Sequence, residues 1–248
     1  MVRGLSVEDR IRRARPSWSD ASFLARLASR APNCLTDLAE AGVLTALDRN
    51  AVLITEGSES TDVFLLLDGR VKVTARAGAA EALIAVRVGG DIVGELAAVD
   101  RGPRSASVRV SGRQTLVAVR VPGPAFIDVL SANPDASRLL QAEIAMKLRA
   151  ATRRRADHAG LSRNARVAKV LQDLARHHGL SRSGVIDIDI DLSNEEIGAL
   201  SGLSGATVYR ALADLRRAGA VKRSGRKRLV VVDVARLAAA AEGTDPVI

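Results

Sequence analysis

Residues 94–108 constrain this chain more than any other stretch. A glycine followed at once by a carboxylate, Gly94-Glu95, opens what reads as one helical turn through Leu96 and Ala97. Gly102-Pro103 then turns the chain and delivers Arg104, Ser105 and Ala106 to the start of a strand. Free N–H groups at a helix start seat anions, and a glycine lets the backbone come close. Arg104 can clamp a phosphate through two parallel hydrogen bonds, Ser105 adds a hydroxyl donor, and Glu95 can accept a hydroxyl proton. One phosphate beside one sugar hydroxyl is the chemistry of a cyclic nucleotide. The order and separation of these residues make the signal specific, since a lone Gly-Glu or Arg-Ser is common.

The surroundings suit such a seat. Between residues 44 and 121 short apolar runs alternate with turns: 51–54 before Glu56-Gly57, 63–67 before Asp68-Gly69, then 71–73, 82–88, 106–110 and 115–121. Short strands with Gly and Asp punctuation predict an antiparallel barrel or sandwich, closed off by Pro122 and Pro124. Aromatics make up 2% of the chain, so its cores must be built from Val, Leu, Ile and Ala. A length of 248 residues predicts one or two domains.

Helices flank this region. The run Arg10, Arg12, Arg13, Arg15 ends at Pro16 and is expected to be a solvated or disordered arm. Ser19 or Asp20 then caps a short helix with Phe23, Leu24 and Leu27 on one face. A short helix over 125–131 precedes Asn133-Pro134, and a long one follows over about 134–158. Leu140, Ile144, Leu148 and Ala151 recur on it at three-to-four spacing. At 1.5 Å per residue it would reach roughly 35–40 Å, more than a small barrel covers. A second copy of the same helix is the economical partner, which predicts a homodimer.

Beyond Gly160, expected to act as a hinge, residues 163–178 form another amphipathic helix, and 185–191 alternate as a strand with one wet face. Ser193 caps the next helix, with Glu196 at the capping-box position. Gly202-Leu203-Ser204 turns the chain into a helix over 205–218 that stops at Gly219. A basic hairpin follows, from Val221-Lys222-Arg223 to Arg228 and the apolar 229–232. Two capped helices, a short turn and a flanking hairpin predict a winged helix-turn-helix. Val208, Ala211, Leu212 and Leu215 are expected inside; Thr207, Tyr209, Arg210 and Asp214 outside. Ser204 and Thr207 suit DNA phosphates, Arg210 can reach a guanine edge, and Arg216, Arg217, Lys222, Arg223, Arg226, Lys227 and Arg228 fit a wing on the backbone. A formal charge of +9 agrees with a polyanionic partner, double-stranded DNA.

Several classes fall away. One cysteine, Cys34, rules out disulfides within the chain and any cysteine cluster. It reads as a small buried residue, with a redox switch as the sharper alternative. The three histidines, His158, His177 and His178, lie outside the barrel, His158 reading as a solvated helix-end residue. No nucleophilic triad, metal spacing or paired catalytic carboxylates stand in the sequence, so no enzyme and no metal are expected. No apolar segment approaches a membrane span and no secretory signal is legible, so the expected compartment is the cytoplasm.

From about residue 35 to 236 the chain resembles bacterial regulators of the cyclic-AMP receptor protein (CRP/FNR) superfamily. The matching residues are Glu56-Gly57, Asp68-Gly69-Arg70-Val71, Gly90-Asp91-Ile92-Val93-Gly94-Glu95-Leu96, Pro103-Arg104-Ser105-Ala106, and Glu196-Ile197-Gly198 through Gly202-Leu203-Ser204 to Thr207-Val208-Tyr209-Arg210. The resemblance implies an α+β architecture in four parts. These are a basic extension (1–34), a cyclic-nucleotide-binding β-roll (35–132), a dimerisation helix and hinge (133–160), and a winged helix-turn-helix (161–248). It assigns the ribose to Glu95 and the cyclic phosphate to Arg104 and Ser105, with Gly94, Leu96 and Ala106 completing the turn. The Thr-Ser pair that reads adenine in cyclic-AMP binders falls on Ala151 and Thr152, so half of that reader is replaced. DNA is expected at Ser193, Ser204, Gly205, Ala206, Thr207, Tyr209, Arg210 and Arg228. The family archetype opens its recognition helix with Arg-Glu where this chain has Gly205-Ala206, which leaves its operator open. The expected effector is cyclic AMP, then cyclic GMP. A regulator needing no ligand, or answering to a cyclic dinucleotide, stands as the alternative, and RNA polymerase is a further implied partner.

Overall fold

Strand β3 (Val63–Asp68) explains much of the architecture, because its five apolar residues are covered on both faces. The computed structural model describes residues 6–78, 80–112, 114–182, 185–188, 190–224 and 228–243, with the backbone alone at 177–182. The chain divides into two units, Met1–Glu81 with Ala85–Leu148, and Ala82–Ile84 with Arg149–Ile248.

In the first unit, β3 joins β1 (Val43–Leu47), β2 (Val52–Ile54), β4 (Arg70–Ala77), β5 (Ala80–Val88), β6 (Ile92–Val93), β7 (Ser107–Ser111) and β8 (Leu116–Val121). They form two four-stranded sheets, ordered β1-β8-β3-β6 and β2-β7-β4-β5. The predicted roll is present, with β1 and β6 added to the expected strands. Phe64 and Leu66 pack with Val71, Val108, Val110, Leu116 and Ala118 in one core. The alternate residues Val63, Leu65 and Leu67 join Val119 and Val121 in the other core, with the helices.

Those helices are α1 (Val7–Ala14), α2 (Phe23–Arg30), α3 (Pro32–Glu40), α5 (Gly123–Ser131) and the start of α6 (Pro134–Gly160), while α4 (Glu95–Asp100) follows β6. The arginine run is therefore no disordered arm, although Arg12, Arg13 and Arg15 are exposed to solvent on it. Ser6 caps α1, Ile11 is buried, and the Trp18 indole N–H donates to the Leu67 carbonyl at 2.9 Å. The outer face of β3 needed a cover, and burying each such Leu stabilises by about 2 kcal/mol. Phe23, Leu24 and Leu27 are wholly buried as expected, but the cap of α2 is Ser22, not Ser19 or Asp20. In α6 the buried residues are Ala136, Leu139, Leu140 and Glu143.

The second unit carries α7 (Arg163–His178), β9 (Gly179–Arg182), β10 (Val185–Ile188), α8 (Asn194–Ser201), α9 (Gly205–Arg217), β11 (Val221–Ser224), β12 (Arg228–Val231) and α10 (Val234–Glu242). Its sheet runs β11-β12-β10-β9. Strand β10 is shorter than the alternating 185–191, and Ile190 N–H turns back to the Ile188 carbonyl at 2.7 Å. Neither β9 nor α10 was predicted. The first pairs antiparallel with β10, while the second is an alanine-rich helix capped by Asp233, which accepts from Arg236 N–H at 2.9 Å.

Candidate functional site

The turn at 94–104 closes around Arg104, which is 4% exposed. Its Nε donates to Ser60 Oγ at 3.1 Å, Nη1 to the Gly94 carbonyl at 2.8 Å and Nη2 to the Asp62 carbonyl at 2.6 Å. Its backbone is pinned as well: Arg104 N–H donates to Ser58 O at 2.9 Å, and Gly57 N–H donates to Arg104 O at 2.8 Å. Gly94 has φ +89°, and a Cβ there would lie 2.6 Å from Asp62 O and 2.7 Å from Arg104 Nη1. Only glycine fits that position without strain. Burial pulls the Arg104 guanidinium below the usual arginine range, and the charges of Asp62 and Glu95 oppose the shift. The carboxylate and the guanidinium therefore share one electrostatic neighbourhood.

Glu95 is 4% exposed and accepts from Lys147 Nζ at 2.9 Å. Lys147 also donates to Ile92 O at 3.1 Å and stands 3.8 Å from Glu143 Oε1. Glu143, itself buried, is held on its other oxygen by Arg26 Nη2 of α2. An ion-pair chain thus runs Arg26–Glu143–Lys147–Glu95. None of its first three members was anticipated, and neither were Ser60 and Asp62. A glutamate and a lysine four apart on one helix were legible as a pair, but their inward direction was not.

The remaining predicted pocket residues are near the same turn. Ala106 is buried, Ser105 is exposed, and Leu96 is 40% exposed. Thr152 lies in the second unit, exposed on α6, and the cluster around Arg104 forms without it. Cys34 is 1% exposed, and burial followed by the charge of Asp37 pushes its thiol up to about 11. A thiol held that far from ionisation is a packing residue, not a redox switch.

In the second unit the helix-turn-helix follows the predicted caps. Ser193 accepts from Glu196 N–H at 3.1 Å while Glu196 Oε2 accepts from Ser193 N–H at 2.8 Å, a complete capping box. Ser204 Oγ accepts from Thr207 N–H at 3.3 Å and meets Thr207 Oγ1 at 2.9 Å. Gly198 lets the turn pass closely, since a Cβ there would lie 2.3 Å from Leu203 O. Val208, Ala211, Leu212 and Leu215 are buried. Ala206 and Arg210 are exposed, Tyr209 is 62% exposed, and Gly205 is half-buried. The first turns of α9 thus present Ser204, Ala206, Thr207, Tyr209 and Arg210 on one accessible stretch.

Three residues sit otherwise than expected. Asp214 turns inward: Arg163 donates to it at 2.9 Å, Asn164 at 3.3 Å, and Arg217 pairs with its other oxygen. Burial would raise its pKa, but those hydrogen bonds and the charges of Arg217 and Arg163 outweigh it and hold the carboxyl below its usual range. Arg228 is half-buried and pairs with Asp187 Oδ2 at 2.9 Å, so its charge is spent inside the sheet and not on an outer wing. His158 is half-buried and packs against the Gly202 turn, where a Cβ would lie 2.7 Å from its Nδ1, so it is not a solvated helix end. Arg226 and Lys227 lie outside the described residues.

Among the described residues no group of three or more His, Cys, Asp and Glu could hold a metal ion, and no helix is long and apolar enough to cross a membrane. The fold and the two sites define a class: a regulator with a ligand-binding roll and a DNA-binding winged helix. Residues 44–133 match the family model of the cyclic nucleotide-binding domain, and residues 165–240 that of the Crp-like helix-turn-helix domain. The chain is 31% identical over 191 residues to the CRP-like cAMP-activated global transcriptional regulator of Mycobacterium tuberculosis, covering 77% of this chain and 84% of that one. A CooA variant from Carboxydothermus hydrogenoformans shares the fold with a TM-score of 0.67 at 20% identity, over 92% of this chain and 98% of that one. The c-di-GMP responsive regulator CLP of Xanthomonas campestris shares it with a TM-score of 0.66 at 19% identity, over 82% and 99%. The chain belongs to the CRP/FNR superfamily of DNA-binding transcription regulators, which are not enzymes.

Proposed function

We propose that this regulator is a cytoplasmic homodimer whose roll binds a cyclic nucleotide, cyclic AMP ahead of cyclic GMP. Binding then sets the spacing of its two α9 helices on an inverted-repeat site. The observation that carries the reading is the burial of both Arg104 and Glu95, each 4% exposed, at the Gly94 turn, where Arg104 donates to the Gly94 carbonyl. A guanidinium has five N–H donors, and the bonds to Ser60, Gly94 and Asp62 use three, which leaves two for a phosphate. Glu95 supplies the acceptor for a ribose hydroxyl, with Ser105 exposed beside the same turn as a further donor. The relative in Mycobacterium tuberculosis is described as cAMP-activated, which favours that nucleotide.

On the DNA side, Ser204 and Thr207 are suited to phosphates, and Tyr209 and Arg210 to base edges, with Gly205-Ala206 letting the backbone approach. Ser193 spends its hydroxyl on the cap and would contribute its position more than its side chain. The dimer reading is supported by Leu148, 67% exposed in line with Ile144 and Ala151 on α6. Two α9 helices one DNA turn apart, about 34 Å, would then read the half-sites.

Calorimetric titration with cyclic AMP and cyclic GMP tests the ligand. Heat with cyclic AMP that disappears in Arg104→Ala is expected; no heat with either nucleotide overturns the reading. A second reading, DNA binding without a nucleotide, is favoured by one observation: Lys147 satisfies Glu95 from within the chain. Mobility shifts of operator DNA with and without cyclic AMP separate the two.

A further inference from the structure

We propose a second anion-binding site, on the N-terminal helices of the first unit, that takes a small, multiply phosphorylated molecule. A cavity of ≈ 680 Å³ opens between α1, the turn after it and α2. Its lining includes Arg12, Arg15, Arg26 and Arg30, with Trp18 at its buried side and Asp20 as the acid among them. Four guanidiniums around one concavity repel one another unless an anion sits between them. Glu143 balances Arg26, but the acids beside the other three lie in solvent: Asp9 is 3.8 Å from an Arg12 that is largely exposed, and Asp20 is exposed.

The chemistry of the occupant follows from shape and donors. Planar guanidinium forks pair with phosphate oxygens two at a time, and several forks favour several phosphates over one carboxylate. The volume falls within the range of small-molecule pockets, about 300–1,000 Å³. A concavity of that size suits a compact polyphosphate better than a duplex, whose phosphates lie along an extended convex ridge.

The position of Arg26 gives the site a consequence. Arg26 lines the cavity and also pairs with the buried Glu143, whose second oxygen is 3.8 Å from Lys147. An anion that recruits Arg26 frees Glu143 to compete with Glu95 for Lys147. Filling the cavity therefore weakens the grip of Lys147 on Glu95 and changes nucleotide affinity. This coupling, unlike the site, rests on the nucleotide reading above.

Titration calorimetry of the full chain with inorganic tripolyphosphate, at physiological salt, tests the site. Saturable binding is expected, weakened at least about tenfold by the double variant Arg12→Glu, Arg30→Glu and unchanged in Arg104→Ala. Both altered arginines are exposed, and a thermal melt checks that the variant stays folded. Absence of binding, retention in the double variant, or loss in Arg104→Ala overturns the site. So does a fall in duplex DNA affinity in the double variant without any tripolyphosphate binding, which marks a nucleic-acid contact instead. A shift of a few-fold in the cyclic AMP Kd at saturating tripolyphosphate supports the coupling, and an unchanged Kd overturns it. If cyclic AMP gives no heat at all, the tripolyphosphate arms still decide the site.

Discussion

Lys147 Nζ lies 2.9 Å from Glu95 Oε1, so the carboxylate beside the buried arginine is held by the helix that leaves the first unit. Lys147 is 20% exposed at its side chain and Glu95 5%, which makes this a largely desolvated pair. The pair ties the turn at 94–104 to α6, the element on which the proposed dimer seam lies.

Replacing Lys147 with Met should leave the buried Glu95 without its cation, while Glu143 keeps only Arg26. Removing one partner of a buried pair costs about 3 kcal/mol. Urea unfolding should show that loss, and adding Glu95→Gln should restore part of it, as a double-mutant cycle would measure.

Leu148→Glu should abolish dimers while leaving the fold alone. The side chain is 67% exposed, so monomer stability should change by no more than about 0.5 kcal/mol. Light scattering after size exclusion would show the halved mass, and a thermal melt the retained fold.

Asp214 should give a pH-dependent signature. Its folded pKa lies below the unfolded one, so its contribution is present above about pH 4 and is lost as pH falls through the folded value. Asp214→Ala should therefore destabilise the winged unit at pH 7, and the difference from wild type should shrink toward pH 3. Denaturant midpoints at the two pH values check this.

Cys34 should resist alkylation. With its thiol at about 11, roughly one molecule in a thousand carries a thiolate at pH 8. Iodoacetamide labelling should be slow in native buffer and fast in urea. Rapid native labelling would contradict the buried position.

The sequence disclosed those parts of the fold whose cause is local. The capping box at Ser193 and Glu196, the cap at Ser204 and the glycine at 202 announced the helix-turn-helix, because capping is decided within four residues. Gly94, Glu95 and Arg104 were legible for a similar reason, their chemistry being stated by residue type and order. The N-terminal helices were misjudged, since an arginine run says nothing of what its apolar flank will meet. Strand β3 held the missed signal: five consecutive apolar residues imply two covered faces, and the roll supplies one.

Residue type and spacing thus settled the roll, the long helix and the winged helix. Packing alone chose the partners of each charge. Folding carried Lys147 of α6 to Glu95 of α4 and Arg26 of α2 to Glu143, and it turned Asp214 and Arg228 inward. A side chain's type limits which bonds it can make, but whether it spends them on a ligand or on its own chain depends on groups brought together across many residues. That proximity is a property of the packed cores, and no local pattern encodes it.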